Sequence, residues 1–243
     1  MAVLLFHSVD CQTPLDIAFI VDSSGSVGRQ EFKRTLDFVA NITQSFDISS
    51  VPGGTRVALI RYAVKAEVIF KFNTFANRVD LLNAIRNTSF SQEPSGTYTD
   101  DALLLSHNEL FEDPLSGVRE RYQGIPRVLV LFTDGKTERG FQSIVQPSRM
   151  LKESGVNILV IAVGKKLNHL EINEIASDPD DQHVYHLNTF NEFDLQDFQK
   201  RLQDDFCYGK QQKVCKICRS PTFVWHSLFA KAHSALYPYE VVR

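Results

Sequence analysis

The sequence predicts an α/β fold, a doubly wound and mostly parallel sheet with one antiparallel edge strand and helices on both faces. Three observations predict it. The runs Asp16-Ile-Ala-Phe-Ile-Val-Asp22 and Arg127-Val-Leu-Val-Leu-Phe-Thr133 are continuously apolar between polar ends, as strands covered on both faces are. Segments with apolar residues at helical spacing alternate with such runs. One pair of short strands is separated by too few residues for a crossover and so forms a hairpin. At 243 residues and 43% hydrophobic, the chain is long and apolar enough for one full core.

The elements follow in order. After the first strand, Phe32, Leu36, Val39 and Phe46 fall on one face and predict a long helix from about Gly28 to Phe46. The segment Val51-Pro-Gly-Gly54 breaks it. Arg56–Tyr62 and Ala66–Phe72 form the hairpin, the second strand lying at the edge with Glu67 and Lys71 on its polar face. Helices are expected from Arg78 to Asn87, from Asp100 to Phe111 and from about Phe141 to Ser154, and a weak one over Glu171–Ala176. Strands are expected over Ile158–Val163 and His183–Leu187. A last helix is expected to start near Asn191 and to carry Leu195, Phe198, Leu202 and Phe206 inward.

The chemistry sits at strand ends. Asp22, Ser24 and Ser26 follow the carboxyl end of the first strand, and Asp134 and Gly135 follow that of another. In open α/β sheets ligands bind there. A carboxylate in such a place is costly unless paired, hydrogen-bonded or bound to a metal. The donors are oxygen only, which suits Mg²⁺, Mn²⁺ or Ca²⁺ better than zinc or copper.

Asp22-Ser-Ser24-Gly-Ser26, Gly96-Thr97-Tyr98-Thr99 and Phe132-Thr133-Asp134-Gly135 resemble, in this order, the three loops of the metal-ion-dependent adhesion site of the von Willebrand factor type A domain. The resemblance runs from about Asp16 to about Phe206. It implies that Asp22, Ser24, Ser26, Thr97 and Asp134 hold a divalent ion, Mg²⁺ or else Mn²⁺ or Ca²⁺, directly or through water. Thr99 is the weaker candidate, because the family's ligand is the first threonine of the pair. It also implies a protein partner, collagen or another matrix protein, that offers an Asp or Glu carboxylate to the ion. The loops around Ser23, Gln92 to Tyr98 and Lys136 to Phe141 would form the contact surface. The extracellular matrix group that includes matrilins and type VI collagen is the most similar. Two other uses of the fold stay open: a metal site that is only structural, and an intracellular assembly module in a multiprotein complex.

Cysteine usage bears on that choice. Cys11 precedes the first strand and Cys207 follows the last expected helix, which returns to the face opposite the ligand site; the two are therefore expected near one another. Type A domains of extracellular proteins often close in this way, and disulfides belong to oxidising compartments. Cys215 and Cys218 would pair with each other, pair with a further module, or hold zinc together with Cys207 or His226. The expected organisation is a lead-in over 1–14, the type A domain over 15–207 and a cysteine-containing tail over 208–243. Asn41-Ile-Thr43 and Asn87-Thr-Ser89 fit glycosylation acceptors.

Other classes are disfavoured. A net charge of −3 with scattered Lys and Arg gives no footprint for nucleic acid. No stretch approaches the roughly 20 apolar residues of a membrane span. Met1 to Phe6 is too short for the apolar region of a signal peptide, so any secretion signal is expected outside this chain. Ser23-Ser-Gly-Ser-Val-Gly28 lacks the dinucleotide fingerprint, no Walker lysine follows, and Ser24 breaks the hydrolase elbow pattern, so an enzyme is not expected. The seven histidines are scattered in sequence with no zincin-like spacing.

Overall fold

The computed structural model describes residues 14–48, 53–91, 95–134, 137–164, 167–189 and 198. Among them six strands form one sheet: β1 Asp16–Asp22, β2 Arg56–Tyr62, β3 Ala66–Phe70, β4 Arg127–Thr133, β5 Val156–Val163 and β6 Val184–Leu187. Their spatial order is β3-β2-β1-β4-β5-β6. All pairings are parallel except β2 with β3, which is the antiparallel hairpin at one edge. The order reverses direction between β1 and β4, and the loops after these two strands therefore diverge above the sheet and open a crevice.

Alternation along each strand supplies two cores. Ile17, Phe19 and Val21 of β1 face one side, where α1 (Gly28–Thr43) packs Phe32, Leu36 and Val39 and α2 (Arg78–Arg86) packs Leu81 and Ile85. Ala18 and Ile20 face the other side. There they meet α3 (Thr99–Leu105), α4 (Phe141–Glu153) with Ile144 and Leu151, and α5 (His169–Ile175) with Ile172 and Ile175.

Several boundaries differ from the expected ones. The first helix stops at Thr43, before Phe46, because its end tightens into i to i−3 bonds, Ser45 N–H to the Ile42 carbonyl and Phe46 N–H to that of Thr43. Phe46 then turns into the core beyond the helix. The edge strand ends at Phe70, since Thr74 turns the chain by accepting the Lys71 N–H on its hydroxyl. α3 continues as a π-helical stretch, Ser106–Phe111, and a short helix, α6 (Asp180–His183), precedes β6 where sequence periodicity gave no signal. Phe198 is helical and buried, tilted against Phe38 and Tyr185. Asn191, Leu195, Leu202 and Phe206, the four cysteines Cys11, Cys207, Cys215 and Cys218, and the tail lie outside the described residues. No helix among those described is long and apolar enough to cross a membrane.

At the amino ends of the central strands lies a buried ion pair. Asp16 is 0% exposed and the Arg119 side chain 4%, with the Arg119 Nη2 2.7 Å from the Asp16 Oδ1. Arg119 also donates its backbone N–H to Asp16 and its guanidinium to the carbonyls of Gly54 and Leu15. Arg127 in turn donates to the Arg119 carbonyl at 2.6 Å. Gly117 shapes this loop: its φ is +82°, and an added Cβ would lie 2.5 Å from the Asn73 Cβ, so only glycine fits. A buried pair contributes most visibly when one partner is removed. Arg119→Met should lower the unfolding free energy by about 3–5 kcal/mol in urea titration, whereas Asp16→Asn with Arg119→Met should lose less. Equal losses in the two variants would show that the cost is packing and not charge.

Candidate metal centre

The sheet delivers two acids to one place. β1 and β4 are neighbours in register, Val21 beside Phe132, so Asp22 ends one strand next to Thr133 and Asp134 lies a residue further on. The chain after β1 then turns sharply. The Ser24 N–H donates to the Asp22 Oδ1 at 2.8 Å, and Ser23 donates both its N–H and its hydroxyl to the Tyr62 carbonyl at the end of β2. Ser23 is thus fully buried as an anchor, while Gly25 and Ser26 of the same loop are exposed. The hydroxyls of Ser24 and Ser26 lie 3.0 Å apart, and Ser26, exposed at the mouth, donates to the Asp134 Oδ1 at 3.3 Å. Asp22, Ser24, Ser26 and Asp134 therefore form one continuous oxygen-lined group.

Thr97 reaches this region by another route. Its carbonyl accepts the Glu138 N–H at 3.0 Å and the Thr137 hydroxyl at 3.3 Å, so the threonine loop is tied to the loop after β4 through backbone. The Thr97 side chain is buried and makes no hydrogen bond to the other four residues. Thr99 is buried at the start of α3, and its side chain, with that of Thr133, offsets part of the rise in the Tyr62 pKa. Gln92 and Lys136, expected in the surrounding surface, and Gly135 of the third loop lie outside the described residues.

With this geometry in view, comparison with known proteins is decisive at the level of family. The family model for the von Willebrand factor type A domain matches residues 16–201. The chain belongs to the von Willebrand factor type A domain family. Among relatives, it is 31% identical to matrilin-1 of Mus musculus over 198 residues and 32% identical to matrilin-1 of Gallus gallus over 200. These alignments cover 81% of this chain but only 37% and 38% of the relatives, so the chain spans well under half their length. Among solved structures, it is similar to proximal thread matrix protein 1 from the mussel byssus with a zinc-occupied MIDAS motif. That match has a TM-score of 0.68 at 26% identity, covering 79% of this chain and 46% of the other.

The electrostatics of this type A domain explain what its site lacks. Burial, and then the charge of Asp134, push the Asp22 carboxyl up to about 7, only partly offset by hydrogen bonds from Ser24 and Tyr62. Burial likewise raises Asp134. Among the described residues, no lysine or arginine figures beside either carboxylate. Among the described residues no group of three or more His, Cys, Asp and Glu side chains is placed to hold an ion, so the donors here are two acids plus hydroxyls. An oxygen-only set with two crowded carboxylates and no cation of its own fits a hard divalent ion.

Supporting residues that the sequence did not disclose complete the type A site. Tyr62, the register partner of Asp22, is fully buried and donates its phenol to the Asp22 Oδ2 at 3.3 Å. Its own pKa is pushed up by burial and by the Asp22 charge, so it stays a donor. Thr137 donates its hydroxyl toward Asp100 and its N–H to Glu171 of α5, at 2.9 Å for the latter. Arg139 bonds both Asp100 and Asp101 and stacks 4.4 Å over the Tyr98 ring. The available signal was the acid pair Asp100-Asp101 after the threonine loop, facing the only arginine of the next loop. The Asp178–Asp181 segment, by contrast, is an exposed turn leading into α6.

The raised Asp22 pKa fixes the sign of a pH dependence in ion-free protein. A carboxyl at about 7 folded against 3.8 unfolded binds more protons in the folded state, so its stabilising contribution is full below pH 4 and is lost as pH rises through 7. With EDTA present, the urea unfolding free energy should fall by about 3 kcal/mol from this group between pH 5 and pH 8. Asp22→Asn should flatten that slope. A parent equally stable at both pH values would contradict the burial of an uncompensated acid.

Proposed function

We propose that this domain is an extracellular matrix adhesion module that binds a protein partner through a divalent ion held by Asp22, Ser24, Ser26, Thr97 and Asp134. The observation that carries the reading is the pair of crowded, uncompensated carboxylates at the ends of β1 and β4. The matrilin relatives and the mussel matrix protein with its occupied MIDAS motif support the setting and the metal-binding role. Neutral hydroxyls on Ser24, Ser26 and Thr97 leave the two acids as the only protein charges on the ion. When bound, Mg²⁺ supplies an electrophilic position that a carboxylate of the partner can fill. The chain's own part is to keep Asp22 and Asp134 in place, to orient the Ser24 and Ser26 hydroxyls, and to hold the threonine loop against Thr137 and Arg139. No catalytic residue is assigned: the partner is bound, not transformed.

The reading extends to compartment. We infer a disulfide between Cys11 and Cys207, which fits an oxidising, extracellular compartment. Cys215 and Cys218 are left as a second candidate pair. Asn41 and Asn87 are exposed, and Asn87, at the end of α2, is the better placed of the two glycosylation acceptors because it opens a loop.

Three measurements test the reading. Calorimetric titration of the parent with Mg²⁺ or Mn²⁺ should give binding heat that Asp22→Ala and Asp134→Ala lose, while circular dichroism shows both variants folded; heats equal to the parent's would sink the assignment. In pull-downs from matrix extract, Mg²⁺ should retain a protein that EDTA and Asp134→Ala release. A partner retained equally in EDTA would make the site structural. Peptide mapping without reduction should recover Cys11 joined to Cys207. A loop of nearly two hundred residues gives at most about 5 kcal/mol, so reduction should lower the melting temperature. Recovery of Cys11 as a free thiol would remove the argument for secretion.

A further inference from the structure

The fold brings together two histidines that the sequence keeps 17 residues apart, His169 and His186. His169 opens α5, and His186 lies on β6, on the face of the sheet that α5 covers. Their ring centroids are 5.0 Å apart with the planes inclined at 58°. Both side chains are exposed, and neither imidazole hydrogen-bonds to another described residue. Two such rings have two explanations, a simple aromatic contact or a shared ligand. The distance alone suits either, since aromatic pairs lie about 4.5–7 Å apart.

The chemistry of the pair separates them. With Zn–N bonds of about 2.0–2.1 Å, each ring centroid stands roughly 3.2 Å from the ion, and a tetrahedral angle between two ligands then separates the centroids by about 5.2 Å. The observed centroid spacing of 5.0 Å is compatible with that arrangement. Ligation also needs a neutral imidazole, and the His186 pKa is lowered by partial burial and by His169 beside it. We propose that His169 and His186 form a second cation site, selective for zinc-class ions. Imidazole nitrogen suits zinc, copper or nickel and not Mg²⁺ or Ca²⁺, so Mg²⁺ loads only the oxygen site after β1 and β4, whereas zinc also loads the histidine pair. Two protein ligands leave a tetrahedral ion with two open positions. Water fills them in the isolated domain, and a histidine or carboxylate of a second molecule fills them in a cross-link.

The site is tested on the full chain with zinc chloride as the probe. Titration calorimetry should show that His169→Ala and His186→Ala each remove the same zinc equivalent, and that the double variant removes no more. The loss should persist in an Asp134→Ala background, which keeps this proposal separate from the oxygen site. In the parent labelled with ¹³C-histidine, the ring resonances of His169 and His186, identified by their disappearance in the single variants, should shift together with zinc and stay fixed with Mg²⁺. Both substitutions are on the surface, so folding is not at stake. Isotherms that coincide with the parent's would overturn the site, and so would dependence on only one of the two rings.

Discussion

Two carboxylates held close together, with no cation beside them among the described residues, set the terms for one whole end of the sheet. Asp22 and Asp134 are brought there by backbone register between β1 and β4, not by attraction, and each is made harder to ionise by dryness and, for Asp22, by the other's charge. Everything nearby is arranged around that demand. Tyr62 and the Ser24 N–H give the Asp22 oxygens hydrogen bonds, Ser23 pins the turn to β2, and Thr137 with Arg139 fastens the threonine loop beside Asp134. None of these groups supplies the missing positive charge. The arrangement resists collapse onto itself because the acids repel and the framework that presents them is rigid sheet.

The opposite end of the same strand shows what balance looks like. Asp16 is as dry as Asp22, yet Arg119 meets it with a two-point contact and spends its remaining donors on the Gly54 and Leu15 carbonyls. One strand thus begins in a closed charge pair and ends in an open one. Buried pairs are weak contributors to net stability relative to apolar packing, but they define where a chain segment sits. Here the pair fixes the long connection from the π-helical turn to β4 beneath the sheet. Charge that is complete within the chain organises the fold, and charge that is incomplete invites a ligand.

The strands and the acids were legible because their signals are local. Continuous apolar runs ending in Asp22 and Asp134, the short Tyr62-to-Ala66 connection and the hydroxyls at alternate positions after β1 all lie within a few residues of one another. Helix boundaries were less so: α1 stops before Phe46 because hydrogen bonds of its last turn tighten, a detail that apolar spacing does not record. Most of the supporting shell was not legible, the Asp100-Asp101 pair being its one local signal. Arg119 lies 103 residues from Asp16, Thr137 lies 34 from Glu171, and Tyr62 reads as one more core aromatic until register sets it beside Asp22. His169 and His186 fall in the same class, because only the fold, with α5 against β5 and β6 beside it, makes them neighbours.

The position of β1 also has a mechanical meaning. It is an interior strand flanked by parallel partners, paired through seven positions with β2 and six with β4. A tension applied to the chain ahead of Leu15 would act along that strand and load both ladders sideways, so that many hydrogen bonds share the stress at once. An edge strand such as β3, pulled away from its single antiparallel neighbour, would instead peel open one bond at a time. Arg119, gripping the Leu15 carbonyl and Asp16 at the point of entry, stands where such a pull would first be felt. A pull from the amino end would thus meet these ladders and the Arg119 contacts before it reached the loop that carries Asp22 at the other.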